Sequence, residues 1–203
     1  MDVLFDVIEG TKGHLGLITL NRPAALNSLN PAMIEGMQQQ LSVWALNDAI
    51  KAVVIQASPG RAFCAGGDLR QAYDGAKNKD PRLLKFFADE YELNKLIFHY
   101  PKPYIALIDG INMGGGAGVS IYGSHRVATD KMLFAMPETA IGFFPDVGGT
   151  YFLPRLAGKL GLYLGLTSAR INCDDCIALG LAQYKLTSED LPTLITALAS
   201  TEF

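Results

Sequence analysis

The sequence is poor in cysteine and histidine and has no long apolar run, and each shortage excludes something. Three cysteines in 203 residues imply no disulfide framework. Cys173 and Cys176 form a C-x-x-C pair, but a structural zinc needs two further ligands. His14, His99 and His125 are scattered and Cys64 lies far back, so no metal is expected. The pair reads instead as two small apolar residues at the start of a helix. No apolar stretch approaches the roughly 18 residues that cross a bilayer, so no membrane span is expected. Basic residues number 17 against 20 acidic ones, a net charge of −3, which argues against a nucleic-acid partner. The acidic opening, Met1 to Asp6, resembles neither a signal peptide nor an Arg-rich transit peptide, and a cytoplasmic chain is expected. There is no G-x-x-x-x-G-K-[ST] and no G-x-S-x-G, which leaves no P-loop and no legible Ser-His-Asp arrangement.

What is present is a globular composition, 49% hydrophobic and 18% charged, in a chain long enough for one domain, residues 1–203. Residues 3–8 and 14–20 are apolar runs separated by Gly10 and Gly13, the pattern of a β-hairpin. Asn30-Pro31 opens a helix, with Met33, Ile34, Met37, Leu41, Trp44 and Leu46 on one face. Residues 52–55 and 104–108 read as buried strands, 82–98 as a helix, 125–129 and 132–135 as strands, and 188–199 as a last helix. Alternating strands and helices predict an α/β fold.

Two glycine-rich segments, Arg61-Ala62-Phe63-Cys64-Ala65-Gly66-Gly67-Asp68 and Ile111-Asn112-Met113-Gly114-Gly115-Gly116, each follow a strand and lead into a helix. Glycine lets backbone approach closely, and free N–H groups at a helix start favour negative charge. Two such loops facing one point would make an oxyanion hole; a packing role is the plain alternative. Val119 and Ile121 stand where a dinucleotide fingerprint needs its third glycine, which disfavours a Rossmann site. Asp68 suits capping or bracing its loop.

Asn21-Arg22-Pro23 with Asn27-Ser28-Leu29, then A-F-C-A-G-G-D-L, then G-I-N-M-G-G-G-A-G, resembles the crotonase (enoyl-CoA hydratase/isomerase) superfamily over nearly the whole chain. That resemblance implies a spiral of ββα units, with a C-terminal helical part shorter than the family's. It also implies an acyl-CoA substrate, no cofactor beyond the coenzyme A the substrate carries, and backbone donors at Gly67 and Gly115 for the thioester oxygen. A homo-oligomer is left open. Arg22, Lys12 and Arg61 are candidate cations for coenzyme A, and Ala65 a candidate contact.

The family's hydratases use two glutamates across a water. Here one position falls on Gly118, which cannot act as acid or base, and the other on Glu138. Eight residues on lies Asp146; Gly142 and Pro145 forbid a continuous helix between the two acids, so the chain turns and can bring both to one site. The segment M-P-E-T-A-I-G-F-F-P-D-V-G-G, with Phe86-Phe87, Glu90-Tyr91 and Leu93-Asn94, resembles the 3-hydroxyisobutyryl-CoA hydrolase branch. In that branch Glu90, Gly115, Glu138 and Asp146 meet the acyl group, with Glu138 as base or nucleophile. Bland readings stand beside these: Glu90 as a surface charge, Asp146 as the cap of a helix from Val147. Thioester hydrolysis is the leading expectation. Another crotonase activity, such as isomerisation or hydration, and a non-catalytic binding module are the alternatives.

Overall fold

In a computed structural model of the chain, which describes residues 1–201, the two leading apolar runs pair as expected. β1 (Val3–Ile8) lies antiparallel to β2 (His14–Leu20), with Val3 opposite Leu20. α1 (Pro31–Leu46) begins where Asn30 accepts the Met33 N–H at 2.9 Å. It buries Met33, Ile34, Met37, Leu41 and Trp44, whereas Leu46, expected on the same face, is exposed as the last residue of the helix. Then come β3 (Ile50–Ala57), β4 (Ala62–Cys64), α2 (Leu69–Lys77) and α3 (Arg82–Phe98). β5 (Tyr104–Ile108), β6 (Ile111–Met113), α4 (Gly115–Ser120), β7 (His125–Thr129) and β8 (Leu133–Ala135) follow. α5 (Gly149–Phe152), α6 (Leu160–Thr167), β9 (Ile171–Asn172), α7 (Cys173–Ala178), β10 (Tyr184–Leu186) and α8 (Leu191–Ala199) complete the described chain.

Six strands form one sheet in the order β1-β2-β3-β5-β7-β10, and four form a smaller one in the order β4-β6-β8-β9. Three successive strand pairs, β3/β4, β5/β6 and β7/β8, each give their first member to the larger sheet and their second to the smaller. The chain therefore climbs as a spiral of ββα units, the fold the resemblance implies. All five residues of β5 are buried, as a parallel strand covered on both faces must be. One face of the larger sheet packs on α1, α3 and α4 through residues such as Met37, Trp44, Ile55, Leu93 and Val119. On the other face Leu15, Val54, Ile105 and Leu107 meet Leu191, Leu194 and Leu198 of α8. The expected helix of 188–199 opens as a 3-10 turn, Ser188–Asp190, and becomes α-helical at Leu191, with Pro192, which lacks an N–H, in the first α-turn. Cys173 and Cys176 open α7 and are buried, as their plain reading had it.

The connections from β4 to α2 and from β6 to α4 carry the two glycine-rich segments, and these two segments meet.

Candidate active site

The loop after β4 is fixed by its neighbour. The Gly66 carbonyl accepts the Leu29 N–H at 2.8 Å, and the Asp68 N–H donates to the Leu29 carbonyl at 2.9 Å. A trans peptide sets its N–H opposite its C=O, so the Gly67 N–H points away from Leu29. The loop after β6 turns at Gly114, whose φ of +49° suits glycine. The Gly114 carbonyl accepts the Gly118 N–H at 3.2 Å inside α4, so the Gly115 N–H points out of the helix start. A methyl placed on Gly115 would lie 3.3 Å from the Gly67 nitrogen. Covalent geometry then keeps the two amide nitrogens within about 6 Å of each other. Both glycines, with Ala65 and Gly114, line one cavity of about 550 Å³.

Four carboxylic acids line the same cavity: Asp68, which is paired with Arg22, and Glu90, Glu138 and Asp146. Glu90 comes from α3, on the stripe Phe86, Glu90, Leu93, Asn94 and Ile97 that the helix buries. It is only 2% exposed, so the surface-charge reading fails. Its Oε1 lies 2.5 Å from where a Gly115 methyl would stand. Glu138 opens a 3-10 turn, Glu138–Ile141, that stops at left-handed Gly142 with φ of +76°. Its Oε1 lies 2.9 Å from a methyl position on Gly114. Asp146 follows that turn, which brings it back to the cavity as the helix-breaking pair Gly142 and Pro145 implied. The cap reading of Asp146 is not observed. α5 begins only at Gly149, behind left-handed Gly148, and its N-terminus carries no side-chain cap. The Asp146 Oδ2 instead accepts the Tyr91 hydroxyl at 3.0 Å. Phe86, Phe87, Phe143, Leu69 and Tyr73 supply the apolar wall of the cavity.

Burial is the dominant electrostatic fact. It pushes the Glu90 carboxyl up to about 8, helped by the charges of Asp146 and Glu138. It pushes Glu138 up to about 7, with Asp146 adding to the shift. Asp146 is also raised by burial, and the Tyr91 hydrogen bond opposes that. Glu90 Oε1 and Glu138 Oε2 have no hydrogen-bond partner in the protein. Near neutral pH the site thus holds a mostly protonated Glu90 beside a Glu138 poised to take a proton.

Glu90 also yields a stability test. Its folded carboxyl titrates higher than in the unfolded chain, so the native state binds the extra proton. Stability from this group is full below about pH 4.5 and is lost as pH rises through about 8. Glu90→Gln is therefore expected to raise the melting temperature at pH 8.5 more than at pH 5. Melting curves at both pH values check this, and equal shifts would contradict it.

The remaining expected residues lie apart. Arg22 is placed as a brace: its guanidinium donates to the Ser28 carbonyl at 2.7 Å and to Asp68 Oδ2 at 2.9 Å. Arg22 is not among the residues lining the cavity. Asp68 also accepts the Gln71 N–H and caps α2, as its sequence context suggested. Lys12 lies in the β1–β2 turn and Arg61 before β4, and neither lines the cavity. Burial pushes the Cys64 thiol up to about 12, which leaves no nucleophilic thiolate at neutral pH. Ser124 and His125 touch at 2.9 Å, but the serine also bonds both backbone groups of Tyr104. Gly118, at the second hydratase position, packs against Asn94, whose Nδ2 would stand 2.7 Å from a methyl there, and itself offers no acid or base.

A family profile described as Enoyl-CoA hydratase/isomerase matches residues 15–203. The chain belongs to the enoyl-CoA hydratase/isomerase family. Within this family it is 54% identical over 182 residues to the mitochondrial 3-hydroxyisobutyryl-CoA hydrolase of Xenopus tropicalis, covering 90% of this chain and 47% of that protein. The enzyme of the same name from Homo sapiens is 49% identical over 193 residues, covering 95% and 50%. The chain thus spans about half the length of the curated relatives it matches. Among solved structures, a carnitinyl-CoA dehydratase from Mycobacterium thermoresistibile superposes with a TM-score of 0.92 at 44% identity, covering 98% of this chain and 57% of that one. An enoyl-CoA hydratase from Rhodobacter sphaeroides 2.4.1 gives 0.90 at 40% identity, covering 98% and 58%.

Proposed function

We propose that the chain hydrolyses a short-chain 3-hydroxyacyl-CoA thioester, of the 3-hydroxyisobutyryl-CoA kind, to the free acid and coenzyme A. The observation that carries this is the convergence of Glu138 and Asp146 on the cavity of the two glycine amides, while the second hydratase position is Gly118. In this reading the thioester oxygen sits between the Gly67 and Gly115 N–H groups, and fixed donors there lower the barrier by about 3–4 kcal/mol each. Glu138 takes a proton from water, or attacks the carbonyl carbon itself to form an anhydride that water then opens. Asp146 holds the attacking water or the acyl hydroxyl. Protonated Glu90 donates a hydrogen bond into the acyl site. The leaving thiolate departs with coenzyme A. The names of the relatives at about 50% identity support this reading. Hydration of an enoyl-CoA by a glutamate pair is disfavoured, because position 118 is glycine and supplies no second carboxylate.

Asp146→Asn tests the role of the acyl hydroxyl. Turnover is expected to fall roughly 10²-fold on a 3-hydroxyacyl-CoA and less on an unsubstituted acyl-CoA, because only the former offers a hydroxyl to hold. If Asp146 served only the backbone, asparagine would replace it almost silently, since the two cap equally well. Steady-state kinetics on both substrates separate these outcomes.

A further inference from the structure

We infer that Tyr91 is the positioning residue for Asp146: its hydroxyl fixes the carboxylate and leaves one oxygen, Oδ1, for the substrate. The inference rests on the hydrolase reading of this site and adds a residue to it.

The local backbone gives Asp146 no regular support. It lies between Pro145 and Val147, outside any helix or strand. Val147 has φ of +42°, a strained value for a β-branched residue, and Gly148 follows at +76°. The Tyr122 hydroxyl pins the Val147 carbonyl at 2.7 Å, which holds the strained turn and does not touch the aspartate side chain. Among the described residues, the side chain that hydrogen-bonds to that carboxylate is Tyr91, at 3.0 Å to Oδ2. Tyr91 is well placed to hold a fixed direction. It stands on α3 directly after Glu90, and its ring packs on Phe87 at 6.3 Å, while Phe87 stacks on Phe143 at 5.9 Å.

The charges around Asp146 make the hydroxyl matter more. α3 presents Glu90 and Tyr91, and the 3-10 turn presents Glu138. Lys95, one turn along α3, is paired with Glu92 at 3.3 Å. α4, from Gly115 to Ser120, carries no ionisable residue. Two other acids therefore stand near the half-buried Asp146, and the tyrosine, with Asp146's own N–H, is a neutral donor that favours its charged form. Burial and the nearby carboxylates hold the Tyr91 hydroxyl above its ordinary value, so it stays a donor at neutral pH.

Tyr91→Phe removes the hydroxyl and keeps the ring. Two readouts apply to the chain: thiol release from a 3-hydroxyacyl-CoA, and titration of the Asp146 carboxyl carbon by NMR, assigned with Asp146→Asn. The expected result is a kcat lower by roughly tenfold with KM within about threefold, as one hydrogen bond to a charged group is lost. The Asp146 signal moves to higher pH. In the Asp146→Asn background, Tyr91→Phe costs less than about twofold, because the two act as a unit. An unmoved Asp146 titration, or the same tenfold loss without Asp146, would overturn the assignment and leave Tyr91 as packing. If the parent chain releases no thiol from any acyl-CoA, the hydrolase reading fails, and the titration alone still decides the tyrosine.

Discussion

Glu138→Gln is expected to lower kcat for thioester hydrolysis by roughly 10²- to 10⁴-fold while acyl-CoA binding changes by only a few-fold. The amide has the same size, yet it neither accepts a proton at neutral pH nor attacks a carbonyl. Glu138 is buried, and burial holds its carboxyl at about 7 with one oxygen unpartnered. A base of this kind works when deprotonated. In the parent chain kcat/KM should therefore rise with pH on a limb with its midpoint near 7, and fall again above about 8 as Glu90 loses the proton it donates. The glutamine variant should lose that limb together with the rate. Rate profiles between pH 5 and 9, with equilibrium binding of coenzyme A by each protein, check both parts. A variant that keeps parental turnover removes Glu138 from the chemistry.

Gly115→Ala is the second large effect. The new methyl would stand 3.3 Å from the Gly67 nitrogen, beside the Glu90 carboxyl, and so between the two amides. An oxygen held about 2.9 Å from both donors is then expected to be displaced. Turnover is expected to fall by roughly 10²–10³, the loss typical of one oxyanion donor. The variant should remain folded. The Gly115 backbone is not left-handed, Glu90 Oε1 is the movable end of a side chain, and alanine favours the first turn of a helix. Melting curves beside the kinetics separate a blocked site from a damaged fold. A variant with unchanged kcat would mean that the thioester oxygen sits elsewhere.

Much of this architecture is legible in the residues because several elements carry their own signals. The hairpin of β1 and β2 is marked by two apolar runs around Gly10 and Gly13, and α1 by Asn30-Pro31 and its apolar face. The smaller sheet is not legible. β4, β6 and β8 are three residues each and β9 is two, too short for a period-2 pattern to separate from loop. The turn between Glu138 and Asp146 follows from Gly142 and Pro145, although the convergence of the two acids needs the whole spiral to place them. Glu90 and Asn94 are less legible, because a polar side chain on a helix is usually solvated. The available signal was their spacing with Phe86, Leu93 and Ile97, which puts two polar residues on a buried stripe. Asn94 is 6% exposed with both amide atoms unpartnered, and what it does against Gly118 shows only in three dimensions. The partner of Asp146 lies 55 residues away, and no local rule connects it to Tyr91.

The most direct test of the account offers the chain two substrates side by side, a 3-hydroxyisobutyryl-type CoA thioester and a short enoyl-CoA. Free thiol is followed for the first, and loss of the conjugated double bond for the second. The account predicts stoichiometric thiol release from the hydroxyacyl thioester and no hydration of the enoyl-CoA. Hydration without thiol release, or coenzyme A binding with neither reaction, would contradict it.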